Sequence, residues 1–433
     1  MDVHGTCRDR SSGFLTRGMG RKMPPDSRPA AALRPANQPL RADLFARCQG
    51  FAVAGELKAA GLYPYFRPSQ SGPDAVSLVE GRPVLMFGSN NYLGLATHPR
   101  VLRAAAAALE QYGAGTTGSR FLNGTLDVHV ELEAALARFH SRDAAVAFSV
   151  GYLANLGAIS ALCGQGDVVF LDRLAHASLV DACRLAGVKV RRFRHNDVQH
   201  LTRLLAAEGE RPALVAVDGV YSMDGDLAPL PALLEACRRH GARLLVDDAH
   251  GVGVFGARGR GVAEHFGLEQ EIDVLVGTMS KSLGGVGGYV VADEAVIEFV
   301  RHQARPLMFT ASLPAPIVAA TREALALIDE EPERRARLWR NTARLVAGLR
   351  GAGFDVGQTQ SPIVPVRIGD PTRTIMMWKR LVAEGVYVNP VLPPAVPAAQ
   401  CILRMTVMAT HTAEQVDRAV AVLAEAGREV GLG

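Results

Sequence analysis

The sequence predicts an α/β protein with a large domain on a mainly parallel seven-stranded sheet, followed by a smaller α+β C-terminal domain. Two observations carry this. Between residues 99 and 330, short apolar runs alternate with longer segments of helical period. The runs are apolar throughout rather than alternating with polar residues, as expected for parallel strands covered by helices on both faces. Beyond residue 349 the order of strand-like and helical segments changes, which marks the smaller domain.

Residues 1–43 form a basic extension. Arg8, Arg10, Arg17, Arg21, Lys22, Arg28 and Arg34 lie among Gly, Ser and Pro with almost no apolar periodicity. A disordered segment is expected, or an upstream start with initiation near Met19 or Met23. A transit peptide is the competing reading, because acidic residues are few, but no amphipathic helix is evident. Residues 44–98 read as an arm, with a helix over 44–62 and a strand over 84–87 leading into Gly88-Ser89-Asn90-Asn91-Tyr92-Leu93-Gly94.

The large domain, residues 99–330, is expected to place helices at 101–112, 128–140, 153–162 and 231–240. Its strands are expected at 144–148, 168–171, 188–193, 213–217, 243–246, 272–276 and 289–291. A long helical stretch covers 315–349. The smaller domain, residues 331–433, carries strands at 363–366, 386–388 and 402–407 and helices at 373–384 and 413–426.

Composition narrows the function. The 433 residues are 48% hydrophobic and 21% charged, with a net charge of +4, and no basic stripe with interleaved aromatics suggests nucleic acid as a partner. The six cysteines are scattered, without the spacing of a metal site, and suit free thiols in a reducing cytoplasm. No apolar run approaches the eighteen residues of a membrane span.

Two residues decide the chemistry. Lys281, in Gly277-Thr278-Met279-Ser280-Lys281-Ser282, follows the run 272–276; Asp247, in Asp247-Asp248-Ala249-His250-Gly251, follows the run 243–246. In sheets of this kind ligands bind beyond the carboxyl ends of the strands, where both residues fall. A lysine and an Asp-x-x-His at that edge suit pyridoxal 5′-phosphate (PLP). The amine can form a Schiff base, the aspartate can keep the pyridine nitrogen protonated, and His250 can reach the phenolic oxygen.

Other motifs need weighing. Gly113 to Gly118 matches G-x-G-x-x-G but follows a predicted helix rather than a strand, so it does not read as a dinucleotide site. His176, after the run 168–171, is placed to stack on a PLP ring and to bond a substrate carboxylate. Gly151-Tyr152 opens a predicted helix and offers free N–H groups to a phosphate; Ser222, Thr278 and Ser280 can complete the cup, although each also reads as an ordinary turn hydroxyl. Arg404, inside the apolar run 401–407, needs a partner, which is either a substrate carboxylate or an internal acid.

Together these residues resemble the α-oxoamine synthase family of fold-type I PLP-dependent transferases. The likeness runs from about residue 57 to 426. It includes Asn91-Tyr92-Leu93-Gly94, Gly118-Ser119-Arg120, Asn123-Gly124-Thr125, His176-Ala177-Ser178 and Tyr221-Ser222-Met223-Asp224-Gly225 besides the lysine and aspartate motifs. Within the family it is most similar to the soluble bacterial serine palmitoyltransferases, through the run 115–125, Phe309-Thr310-Ala311-Ser312-Leu313-Pro314, Met376-Met377-Trp378 and Pro393-Pro394-Ala395. The resemblance implies catalytic roles for Lys281, His176 and Asp247, and substrate contacts for Asn91, Ser119 and Arg404. It also implies a homodimer in which Thr310 reaches the neighbour's cofactor phosphate.

The activity so implied is a decarboxylative Claisen condensation of an amino acid, L-serine first, with a long-chain acyl-CoA. Alanine or glycine with another acyl-CoA or carrier-protein-bound chain, as in an 8-amino-7-oxononanoate synthase, is the alternative. Two departures support that alternative: Leu392 stands where the bacterial serine palmitoyltransferases have arginine, and Asp248 and Gly251 stand where they tend to have glutamate and serine. Ser119, where 5-aminolevulinate synthases have threonine, argues against a pocket for glycine only. An aminotransferase would share Asp247 and Lys281 but would need a second half-reaction with a keto acid. A non-catalytic partner subunit would be expected to lack Lys281.

Overall fold

The computed structural model describes residues 43–432. The extension expected over 1–43 therefore lies, except for Asp43, outside the described residues. The chain divides into a unit ending at Leu57 and a unit from Lys58 to Gly433. In place of one helix over 44–62 there are two short ones, Ala46–Gln49 and Val53–Ala59, with Gly50 closing the first.

The second unit opens with a hairpin of β1 (Val76–Val79) and β2 (Arg82–Met86). Glu80 and Gly81 connect them with φ of 49° and 76°, the two positive values that a type I′ turn requires. β1 was not expected from the sequence, because four residues with alternating burial give only a short signal.

The expected mainly parallel seven-stranded sheet is present. Its strands are β3 (Ala144–Phe148), β4 (Val168–Asp172), β5 (Lys189–Phe193), β6 (Ala213–Asp218), β7 (Arg243–Asp247), β8 (Val274–Thr278) and β9 (Gly288–Ala292). They run in the order β3-β9-β8-β7-β6-β4-β5, and only β9 is antiparallel to its neighbours. Side chains alternate between two cores. Phe170, Val217 and Val246 enter one, while Leu171, Ala216 and Leu245 enter the other. Helix Gly151–Leu162 packs on the second core through Ala154, Ala158 and Ile159. With both faces covered, ligand access is left to the strand ends, where β4, β6 and β7 finish in Asp172, Asp218 and Asp247.

The helical stretch expected over 315–349 is two helices, Ala315–Glu330 and Pro332–Gly351. They break at Glu331 because the residue before a proline is driven out of helical geometry. Then come β10 (Ile363–Arg367), β11 (Val386–Tyr387), β12 (Asn389–Val391) and β13 (Ile402–Thr406). The order β10-β13-β12 forms one antiparallel sheet, while β11 adds to the β1–β2 hairpin, so the residues before the large sheet and those after it share strand pairing. No helix among the described residues is long and apolar enough to cross a membrane.

Candidate active site

A cleft of about 300 Å³ opens at the carboxyl ends of β6, β7 and β8. It brings together Gly151, Tyr152, His176, Ser222, Asp247, His250, Thr278, Ser280 and Lys281, all singled out from the sequence. Asp247 is buried and its carboxylate is held on both sides. Oδ2 accepts from Asn155 Nδ2 at 2.6 Å and Oδ1 from the Ala249 N–H at 3.0 Å. Asn155 also donates to Ser178 Oγ at 2.8 Å, and its own Oδ1 is buried without a partner among the described residues.

The Lys281 side chain has its pKa lowered by burial, an effect opposed by the charge of Asp247 and reinforced by Arg404. More of the amine is therefore neutral, and so nucleophilic, than in water. The neighbouring Asp218 aligns with Asp247 across β6 and β7, and burial followed by Asp247 raises its carboxyl well above the usual range. Its Oδ2 accepts from the His176 N–H at 2.9 Å, which fixes the start of helix Ala177–Ala186. His176 caps that helix, with Nδ1 2.7 Å from Ser178 Oγ.

His250 is held neutral, well below its ordinary range, by burial and by Lys281 and Arg404. Its Nδ1 lies 2.6 Å from the hydroxyl of Tyr92, which burial pushes up to about 12 and so keeps as a donor. Nδ1 then accepts and Nε2 carries the proton. On the opposite wall, Thr278 Oγ1 donates to the Gly287 carbonyl at 2.9 Å and lies 2.8 Å from Ser280 Oγ. A Cβ at Gly151 would come within 2.9 Å of Thr278 Oγ1, so only glycine brings the helix start this close to the hydroxyls. The result is a cup of hydroxyls and helix N–H groups.

Arg404, on β13, is not in the cleft wall itself but stands behind Ser222. Its Nε donates to the Ser222 carbonyl at 2.6 Å, both Nη atoms lie 3.3 Å from Asn90 Oδ1, and Nη1 lies 3.0 Å from Thr406 Oγ1. These partners are all neutral, so no internal acid among the described residues holds the buried guanidinium.

Three expected residues lie elsewhere in the chain. Asn91 spends its amide on the Pro73 carbonyl at 2.8 Å and on the Ala96 N–H at 3.3 Å; Asn90, one residue earlier, is the one that meets Arg404. Ser119 bridges to Ala311, and its buried hydroxyl has no partner among the described residues. Thr310 lines a separate small cavity with Arg120, His129 and Ser149. Asn155, Asp218, Tyr92 and Asn90 were missed. Two of them had a signal: Asn155 stands one helical turn after Gly151 on an apolar helix, and Asp218 ends an apolar run as Asp247 does.

An acid fixed by an amide, a buried lysine of lowered pKa and a hydroxyl and N–H cup on the facing wall fit PLP, and the unpartnered Asn155 Oδ1 shows that the site's polar groups are not satisfied by protein alone. Comparisons agree. Residues 82–423 match the model of the family described as Aminotransferase class I and II. The chain is 46% identical to a serine palmitoyltransferase of Sphingobacterium spiritivorum over 86% of this chain and 94% of that protein. It is 47% identical to an 8-amino-7-oxononanoate synthase of Geobacter sulfurreducens over 88% and 99%. A solved structure of SPT with PLP superposes with a TM-score of 0.88 at 41% identity, covering 90% of this chain and all of that one (100%). The chain therefore belongs to the aminotransferase class I and II family of PLP-dependent enzymes, in its α-oxoamine synthase branch.

Proposed function

We propose that the protein joins an amino acid, L-serine first, to a long-chain acyl-CoA with loss of carbon dioxide and release of the thiol, giving an α-amino ketone. The observation that carries this reading is Arg404. A buried guanidinium with only neutral partners among the described residues, close enough to lower the pKa of Lys281, is a site for a carboxylate that arrives with the substrate.

Each side chain then has a task. Bound PLP supplies an electron sink for the charge left on the α-carbon. Lys281 would hold the cofactor through its amine and, once displaced by the incoming amino acid, would move the α-proton; Asp247, steadied by Asn155, would keep the pyridine nitrogen protonated. His250 would offer its Nε2 proton to the phenolic oxygen, and Gly151, Tyr152, Ser222, Thr278 and Ser280 would hold the phosphate. His176 would cover the ring and share the substrate carboxylate with Arg404, which would orient the α-bonds before any of them breaks. Thr310, outside this cleft, would reach the neighbour's phosphate in a homodimer, and Asn91 and Ser119, also outside it, would contact the substrate.

A second reading, alanine or glycine with another acyl-CoA or carrier-bound chain, is supported by Leu392. That side chain is half-buried against the core, where it offers nothing to a carboxylate. The deciding experiment incubates the PLP-loaded protein with palmitoyl-CoA and serine, alanine or glycine, follows thiol release and identifies the product by mass. Release with serine and a product of 3-ketodihydrosphingosine mass is expected. Turnover with alanine or glycine alone selects the second reading. Formation of pyridoxamine phosphate without thiol release would overturn both in favour of an aminotransferase.

A further inference from the structure

His195 does not line the cleft, yet it lies between two carboxylates whose loops both build it. Nδ1 stands 3.0 Å from Asp172 Oδ1, and Nε2 stands 2.8 Å from Asp226 Oδ2. Carboxylate oxygens accept and a neutral imidazole has a single N–H, so both contacts are hydrogen bonds only when the ring is an imidazolium. Burial opposes that charge, but the bonds and charges of Asp172 and Asp226 outweigh it and push the pKa up to about 10. The ring also packs edge-on against Tyr221, with centroids 4.4 Å apart.

Each end of this bridge leads into the site. Asp172 ends β4 and accepts from the Leu174 N–H at 2.8 Å and the Asn196 N–H at 2.9 Å; the loop it organises delivers His176. Asp226 lies in the turn 219–227, closed by the Tyr221 N–H on the Asp226 carbonyl at 3.0 Å. Asn196 Nδ2 pins the same turn through Asp226 Oδ2 and the Leu227 carbonyl, both at 3.0 Å. That turn presents the Ser222 carbonyl to Arg404 Nε at 2.6 Å.

We infer that His195 is a positioning residue for the amino-acid carboxylate: bonded to Asp172 and Asp226, it fixes the Ser222 turn and, through the Ser222 carbonyl, sets the Arg404 guanidinium relative to His176. The inference rests on the reading that Arg404 and His176 hold that carboxylate. Its reach is long for one side chain because the bridge is charged at both contacts, and such bonds are about twice as strong as neutral ones.

The test compares wild-type holoenzyme with His195→Gln and Asp226→Asn. The amino-acid dissociation constant is taken from the substrate-induced change in the cofactor's visible spectrum, and KM is measured for the thioester. Loss of both charge-assisted contacts in His195→Gln is expected to weaken amino-acid binding about tenfold, and loss of one in Asp226→Asn to weaken it less. Cofactor absorbance and thioester KM should stay near wild type. Unchanged amino-acid affinity in both variants, or an equal loss for both substrates, overturns the inference. If His195→Gln takes up no PLP, Asp226→Asn decides by the same criterion. Independently, the nitrogen resonances of ¹⁵N-histidine wild-type protein at neutral pH must show both His195 nitrogens protonated; a neutral tautomer overturns the inference. A wild type that binds none of the three amino acids defeats the proposed reaction instead, and the nitrogen resonances still judge the bridge.

Discussion

Asn155 Nδ2 donates to Asp247 Oδ2 at 2.6 Å, joining helix Gly151–Leu162, whose N-terminus faces the Thr278 hydroxyl, to the carboxyl end of β7. One amide thus couples a helix and a strand that both line the cleft. Asn155→Ala leaves Asp247 with the Ala249 N–H as its protein donor. PLP affinity should fall about tenfold, the ordinary effect of losing a bond to a charged group beside a ligand. Asn155→Asp should be worse, because it sets a second carboxyl against Asp247. Titration of apoenzyme with PLP by absorbance measures both; wild-type affinity in both variants would mean that Ala249 alone orients Asp247.

Arg404 separates stability from binding. Among the described residues its buried charge meets no acid, so folding gains little from it beyond its neutral hydrogen bonds. Arg404→Met should therefore change unfolding free energy by no more than about 1–2 kcal/mol, while the amino-acid KM rises about a hundredfold. Arg404→Lys keeps the charge but loses the planar fork, and should raise the KM about tenfold. Thermal melts and steady-state kinetics check the pair; a large loss of Tm without a change in KM would make Arg404 a structural residue.

The His195 bridge also predicts a pH dependence. Its pKa is 6.5 when free and about 10 in the fold, the carboxylates of Asp172 and Asp226 outweighing burial. Below the free value both states carry the proton, so the stabilisation is complete there. Between the two values the folded state holds a proton that the unfolded state has lost, and stability drops as pH rises until it is gone above the folded pKa. Wild-type Tm should fall more steeply than that of His195→Gln between pH 7 and 10. Parallel curves would show that the imidazole is not charged in the fold.

The parts legible in the sequence were those carried by short-range order. Lys281, Asp247 and His176 each follow an apolar run, so strand pattern alone put them on one edge. The groups that tune them come from far along the chain: Tyr92 reaches His250 across 158 residues, and Asn90 reaches Arg404 across 314. No local period records such contacts. The choice between Asn90 and Asn91 was beyond pattern for the same reason, since it depends on which amide the Pro73 carbonyl takes. His195 and Asp226 read as loop residues until β4, β5 and β6 lie side by side.

Asp248 and Gly251 form a matched pair. Asp248 is fully buried, which pushes its carboxyl up to about 7, and its Oδ2 accepts from the Val262 N–H at 2.7 Å. A Cβ at Gly251 would lie 1.9 Å from Asp248 Oδ1, a distance no packing tolerates. Gly251→Ser alone should therefore cost about 2–3 kcal/mol through overpacking. Glutamate at 248 extends the carboxyl by one methylene and lets it leave the space a serine Cβ needs. The double variant Asp248→Glu with Gly251→Ser should then recover at least about 1 kcal/mol relative to the sum of the single changes, the coupling expected of residues in contact. Denaturant unfolding of the four proteins measures this cycle. Additive losses would mean that the two positions differ from the serine palmitoyltransferase pattern independently, and that the clash at Gly251 is relieved by Val262, 2.8 Å from the same Cβ, rather than by Asp248.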